Sequence, residues 1–335
     1  MRLGKSPAIL IYLACFCWSA FAQTPGQDTV PPMITGGPQI NAVMLDVVPE
    51  FTDPKTHGAG IITDLKLGDF RVYDNRKEVP LIYFSNSGGY PIALWFVLQC
   101  PQGYPPEYHS EFMRGNTQYL RPPLARMGPD DLVGVAHWCD NARNAIDLPL
   151  TSNGDQAIKA IDAVLAEKMN HGENRTGEHA MQDTIAMVLD KTSETAPQHV
   201  PVLLFLYGDH CEGYGWETDQ VIENLTNASA IVFGMSDGKW KFDPEVSFRG
   251  KQVRFLAHYY SDELGGNFYS TPDPKQYSAV LDYILSQLHM RYNLGFKPAA
   301  DGKKHTVKVE LTKEAQSRYH DVQLRYRKRY FAKSQ

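Results

Sequence analysis

The chain has 335 residues, with 33 Lys plus Arg against 38 Asp plus Glu, for a formal charge of −5. An apolar share of 43 % excludes a disordered chain, and the lack of a sustained heptad or short repeat argues against a coiled coil or solenoid. The mildly acidic balance argues against a dedicated nucleic-acid binder, and five cysteines are too few for a disulfide scaffold of this length.

Residues 1–22 read MRLGKSPAILIYLACFCWSAFA. Arg2 and Lys5 form a basic start, an apolar run follows from Ala8, and Ala20-Phe21-Ala22 is a small-x-small site before Gln23. This predicts a secretory signal peptide and a secreted or periplasmic protein. The run is short for a membrane span of about 20 residues, so no stable span is expected once the signal is removed. Without these residues the charge is −7 and three cysteines remain, Cys100, Cys139 and Cys211. In an oxidising compartment they are one pair plus a free thiol, or three thiols. Residues 23–38, with four prolines and three glycines, predict a tether.

Residues 39–88 predict strands. Val43, Leu45 and Val47 alternate with Ala42, Met44 and Asp46. Phe70 to Tyr73, the polar turn Asp74-Asn75-Arg76-Lys77, and Val79 to Phe84 read as a hairpin. The pattern changes over 89–291. Ile92 to Leu98 is a continuous apolar run, as expected of a strand buried on both faces. Leu132 to Trp138, Val200 to Tyr207, Ala230 to Met235 and Asn267 to Ser270 predict further strands. Between them, Ile158/Ile161/Leu165, Met181/Ile185/Val188 and Val221/Ile222/Leu225 have helical spacing. Val253 to Leu264 predicts a helix capped by Gly265-Gly266, and Asp273-Pro274 opens a last helix with Tyr277, Leu281, Ile284 and Leu288 inward. Residues 292–335 return to β, with strands at Tyr292 to Phe296, Thr306 to Leu311 and Val322 to Tyr330. The alternation implies an α/β fold, a doubly wound and mainly parallel Rossmann-type sheet. A few strands at each end cannot stand alone, so both ends are expected to form one β-sandwich into which the α/β domain is inserted.

The stretches GDFRVYDNRKEVPLIYFS, PIALWFVLQ, MGPDDLVGVAHWCD, TGEHAMQDTIAMVL, VPVLLFLYGD, RFLAHYYSDELGGNFYS, YNLGFKP and DVQLRYRKRYFA, in this order and spacing, resemble the von Willebrand factor A (vWA) domain. More closely, they resemble the VWFA-related secreted family of Acidobacteria, which has no assigned biochemical activity. The resemblance implies a metal-ion-dependent adhesion site (MIDAS) at the C-terminal ends of the strands. Its pattern is Asp-x-Ser-x-Ser after the first strand, a Thr in a later loop and an Asp after the fourth. Here Gln99 stands for the first Asp, Pro101 and Gly103 for the serines, His179 for the Thr and Tyr207 for the second Asp. Without anionic oxygen ligands the set does not suit Mg²⁺, so a degenerate MIDAS and no cofactor are expected.

The same sheet edge gathers Cys100, Tyr104, His137, Cys139, Asp209, His210, Cys211, Tyr214 and Trp216 as a candidate binding face. Cys100, Cys139, His179, Asp209, His210 and Cys211 are ligand types for zinc or copper. The plainer alternative is a disulfide, Cys100 with Cys139 or with Cys211, although the spacings match no standard zinc motif. Trp240 with Lys239, Lys241 and Phe242 adds exposed aromatics suited to recognition. Residues 104–126, rich in Pro and Tyr, replace the expected first helix and are expected to cover the site. No GxSxG or HExxH occurs, so no hydrolase is indicated. Residues 303–335 carry ten basic and three acidic residues. Arg325, Arg327 and Arg329 alternate with Leu324, Tyr326 and Tyr330, which predicts a solvated outer strand face. The expected function is an exported, non-enzymatic module binding a protein or cell-envelope component. A transition-metal or thiol-redox protein using the Cys/His cluster is the alternative.

Overall fold

A computed structural model describes residues 42–52, 59–86, 88, 90–99, 113, 115–138, 144–166, 180–206, 217–236, 246–248, 251–253 and 256–334. The N-terminal part holds strands β1 (Val43–Thr52), β2 (Ala59–Ile61), β3 (Phe70–Asp74), β4 (Lys77–Val79) and β5 (Leu81–Ser85). The middle runs β6 (Ile92–Gln99), α1 (Arg121–Leu124), β7 (Leu132–Trp138), β8 (Asn144–Thr151), α2 (Gly154–Ala166), α3 (Ala180–Thr195), β9 (Val200–Leu206), α4 (Glu217–Asn227) and β10 (Ile231–Ser236). It continues through β11 (Val246–Phe248), β12 (Lys251–Val253), α5 (Leu256–Glu263), β13 (Phe268–Ser270) and α6 (Tyr277–His289). The chain closes with β14 (Tyr292–Phe296), β15 (Lys304–Leu311), α7 (Lys313–Gln316), β16 (Gln323–Arg325) and β17 (Arg329–Phe331).

The middle strands form one sheet in the order β13-β10-β9-β6-β7-β8. Every neighbouring pair in it is parallel except β7 with β8. Its unbroken apolar strands need cover on both sides, and they have it. Ile92, Leu94 and Phe96 of β6 share a core with Ile158 and Ile161 of α2 and Leu281 and Ile284 of α6. Trp95 and Val97 share the opposite core with Ile185 and Val188 of α3, Ile222 of α4 and Tyr260 of α5. The Trp95 indole donates through Nε1 to Thr192 Oγ1 at 2.8 Å. A Cβ on Gly134 would lie 2.5 Å from that ring, so only glycine fits beneath it.

Strands β11 and β12 pair by themselves, and the terminal strands form two further sheets, β16-β1-β14-β5 with β2 beside β1, and β17-β15-β3-β4. Each draws strands from both ends of the chain. Leu45, Val47, Leu294 and Phe296 of the first pack with Phe70, Val72, Val307, Val309 and Tyr330 around the second, in one core.

Five expectations need correction. The hairpin turn is the two residues Asn75 and Arg76, both at positive φ (46° and 71°). The return stretch is not a single strand: it breaks at Pro80, which lacks an N–H to carry the ladder. β4 stays in one sheet while β5 joins β14 in the other. Val322 to Tyr330 also divides, β16 pairing with β1 and β17 with β15. The fifth helix begins at Leu256 rather than Val253, because Lys251–Val253 pair with Val246–Phe248. Finally, Met113, Leu120 and Leu124, from the segment expected to cover the site, are buried in the core shared with α2 and α6. Strand β8 was not foreseen; its signal is the alternation of Ile146, Leu148 and Leu150, interrupted by Pro149.

Candidate functional site

The register sets the edge. Gln99 pairs with Trp138, and Leu98 pairs with both His137 and Leu206. Strands β6, β7 and β9 therefore end side by side at their C-terminal ends. The chain leaves β6 for β7 on one side, and later reaches β9 on the other, so β6 is the switch point where open α/β sheets take ligands.

Of the residues predicted for that edge, the described ones are Gln99, the last residue of β6, and His137, the penultimate residue of β7. Cys100, Pro101, Gly103, Tyr104, Cys139, His179, Tyr207, Asp209, His210, Cys211, Tyr214, Trp216 and Trp240 lie outside the described residues. His137 is only 8 % exposed. Its Nδ1 lies 2.8 and 2.9 Å from the carboxylate oxygens of Asp147 on β8. Thr184 Oγ1 of α3 donates to the His137 carbonyl at 3.4 Å. The ring is thus turned into a buried pair with a partner that sequence reasoning missed along with β8. Among the described residues no three His, Cys, Asp or Glu side chains converge as a metal site.

The opposite end of the sheet is tied by Asp131, which is buried just before β7. It accepts from the backbone N–H of Ile92 (3.1 Å) and of Gly128 (2.7 Å), and pairs with His289 Nε2 (2.9 Å). Burial pushes its carboxyl up, but the hydrogen bonds from His289, Ile92 and Gly128 outweigh that and hold it below the ordinary value. One side chain therefore joins the starts of β6 and β7 to the end of α6.

A third cluster lies where the terminal strands meet the α/β sheet. Glu50 of β1, 7 % exposed, accepts from Tyr283 Oη (2.8 Å) and Gln287 Nε2 of α6, and from Arg325 Nε of β16 (3.0 Å). Burial, then the Glu50 charge, pushes the Tyr283 hydroxyl well up. Arg327 donates to the carbonyls of Thr226 and Met44, both at 2.8 Å, and Arg329 pairs with Glu263. These arginines were expected on a solvated face. They are part-buried instead, because β1, α4 and α5 meet that side of the strand through Glu50, Thr226 and Glu263. Gly265 makes the approach possible: it sits at φ +82°, and a Cβ there would be 2.9 Å from the Tyr326 backbone.

No protein-family model and no curated protein matches the chain. Among solved structures it is similar to an aerotolerance-related membrane protein of Bacteroides fragilis, at 10 % identity over 58 % of this chain and 99 % of that one, with a TM-score of 0.38. It is also similar to the VWA domain of SpRpn10, at 10 % identity over 59 % and 95 %, TM-score 0.39. A third is proximal thread matrix protein 1 of the mussel byssus with a zinc-occupied MIDAS motif, at 11 % identity, TM-score 0.40. There the match covers 64 % of this chain and about half, 49 %, of the mussel protein. No helix among the described residues is long and apolar enough to cross a membrane.

Proposed function

We propose that the chain is an exported, non-enzymatic binding module of the VWFA-related kind. Its core is a doubly wound vWA-like domain set into a β-sandwich made from both chain ends. It binds a protein or cell-envelope partner through the edge formed by the ends of β6, β7 and β9, without Mg²⁺ and without a cofactor. The observation that carries this reading is the sheet order with its switch point at β6, combined with Gln99 at the position where the resemblance calls for the first acidic ligand. A glutamine carbonyl offers a neutral oxygen where a hard divalent cation needs charge. The alternative, a transition-metal or thiol centre built from Cys100, Cys139, His179, Asp209, His210 and Cys211, uses the same edge. Elemental analysis of the purified protein, a Mg²⁺ titration by calorimetry and a thiol count under non-reducing conditions separate the two. The proposal expects no stoichiometric metal and no Mg²⁺ binding heat. Stoichiometric zinc or copper would establish the alternative, and Mg²⁺ binding would contradict the degenerate site.

A further inference from the structure

The junction between the terminal strands and the α/β sheet holds a partly open cavity of about 20 Å³. Its charged lining is Asp46 of β1, Arg291 just before β14, and Arg327 between β16 and β17. Arg291 is 1 % exposed, and its Nε, Nη1 and Nη2 have no hydrogen-bond partner. Its Nε lies 3.4 Å from Asp46 Oδ1, an ion pair in which the same oxygen also accepts from Asn293 Nδ2 at 2.6 Å. Arg327 spends its Nη1 and Nη2 on backbone carbonyls and leaves Nε enclosed and unpartnered. Two guanidinium groups against one carboxylate leave the lining with an uncompensated positive charge. The other buried carboxylates of the junction are taken, Glu50 by Arg325 and Glu263 by Arg329.

An unpaired buried charge is costly, and arginine cannot escape by losing its proton. We propose that this cavity is a binding site for one small inorganic anion of chloride size, held by Arg291 and Arg327, which fixes the inserted unit on the terminal strands. Size suits a monatomic ion, since a space of this volume takes about one water-sized body. Gln287, whose buried Oε1 has no partner, also lines the cavity and could take a donor from a water, but a water would leave the charge uncompensated. This inference does not depend on the function proposed above.

The test uses the full chain. Its melting midpoint is followed in sodium chloride and in sodium gluconate at equal ionic strength, and crystals grown with bromide are measured at the bromine edge. The expected results are a midpoint that rises saturably by several degrees with chloride but not with gluconate, and an anomalous peak within hydrogen-bond distance of the Arg291 guanidinium. Equal midpoints in the two salts, or a cavity without an anomalous peak, would overturn the proposal. Arg291→Gln should abolish the chloride dependence. Should that variant fail to fold, Asp46→Asn removes the competing carboxylate and should lower the chloride concentration of half-effect by at least about fivefold; an unchanged or higher value would equally overturn it.

Discussion

Strand β6 and the stretch 322–330 are both strands read from hydropathy, and they teach opposite lessons. In β6 every side chain from Ile92 to Leu98 is buried, so the apolar run fixes its surroundings completely: both faces must be covered, and helices cover them. In 322–330 the alternation is real, yet its polar face meets protein rather than water. Arg325 reaches Glu50, Arg327 reaches the carbonyls of Thr226 and Met44, and Arg329 reaches Glu263. Period-2 patterning divides a strand into two faces without saying what covers the polar one. A charged face is free to dock wherever the partner surface supplies carboxylates and carbonyls.

This contrast can be tested by substitution. The largest effect is expected from the apolar sheet: Trp95→Ala should cost about 3–5 kcal/mol in urea unfolding, from lost burial plus the cavity beside Gly134. A loss below about 1 kcal/mol would mean that the sheet core is loosely packed. At the junction, Glu50→Ala leaves the Tyr283 hydroxyl and Arg325 Nε without their acceptor, takes one of two acceptors from Gln287 Nε2, and should cost about 2–3 kcal/mol. A change within about 0.5 kcal/mol is what a solvated surface residue gives, and it would return these arginines to the water-facing role that the alternation suggested. The smallest effect concerns pH and lies in the second terminal sheet. Burial pulls the His305 imidazole down, but its hydrogen bonds to Asp301 (3.0 Å) and Asp74 (2.7 Å) outweigh that and hold it above its ordinary value. The stabilisation is therefore complete below the unfolded value of about 6.5 and is lost as pH rises through the folded value. The stability gap between wild type and His305→Asn should be widest near pH 6 and narrow by about pH 9; a gap that widens with pH would contradict the ion-paired imidazolium.

The pattern of buried strands and helical faces in 89–291 was legible because continuous apolar runs and i, i+3, i+4 spacing have few alternative readings. The terminal strands were legible as strands but not as to sheet. Pro80 sends β5 away from β4, and the break after Arg325 sends β17 away from β16, and both depend on long-range pairing that a local pattern does not carry. Strand β8 was hidden by Pro149 and its modest polarity, which is why Asp147, the partner of His137, went unseen. Asp131 lies just before a strand and carries no local signal of its role, yet three elements meet on its carboxylate. At the candidate edge only the strand ends were legible, Gln99 closing β6 and His137 near the close of β7, since strand order in an α/β sheet brings those ends together.

The central claim is that the edge at the ends of β6, β7 and β9 binds its partner without a divalent cation. The direct measurement is binding of the purified protein to cell-envelope fractions, with EDTA or with added Mg²⁺, for the wild type and for a variant with Asp209→Ala and Trp216→Ala at the proposed face. The account predicts equal retention in EDTA and Mg²⁺, and loss of retention in the double variant. Retention that requires Mg²⁺, or that survives the double variant unchanged, would contradict it.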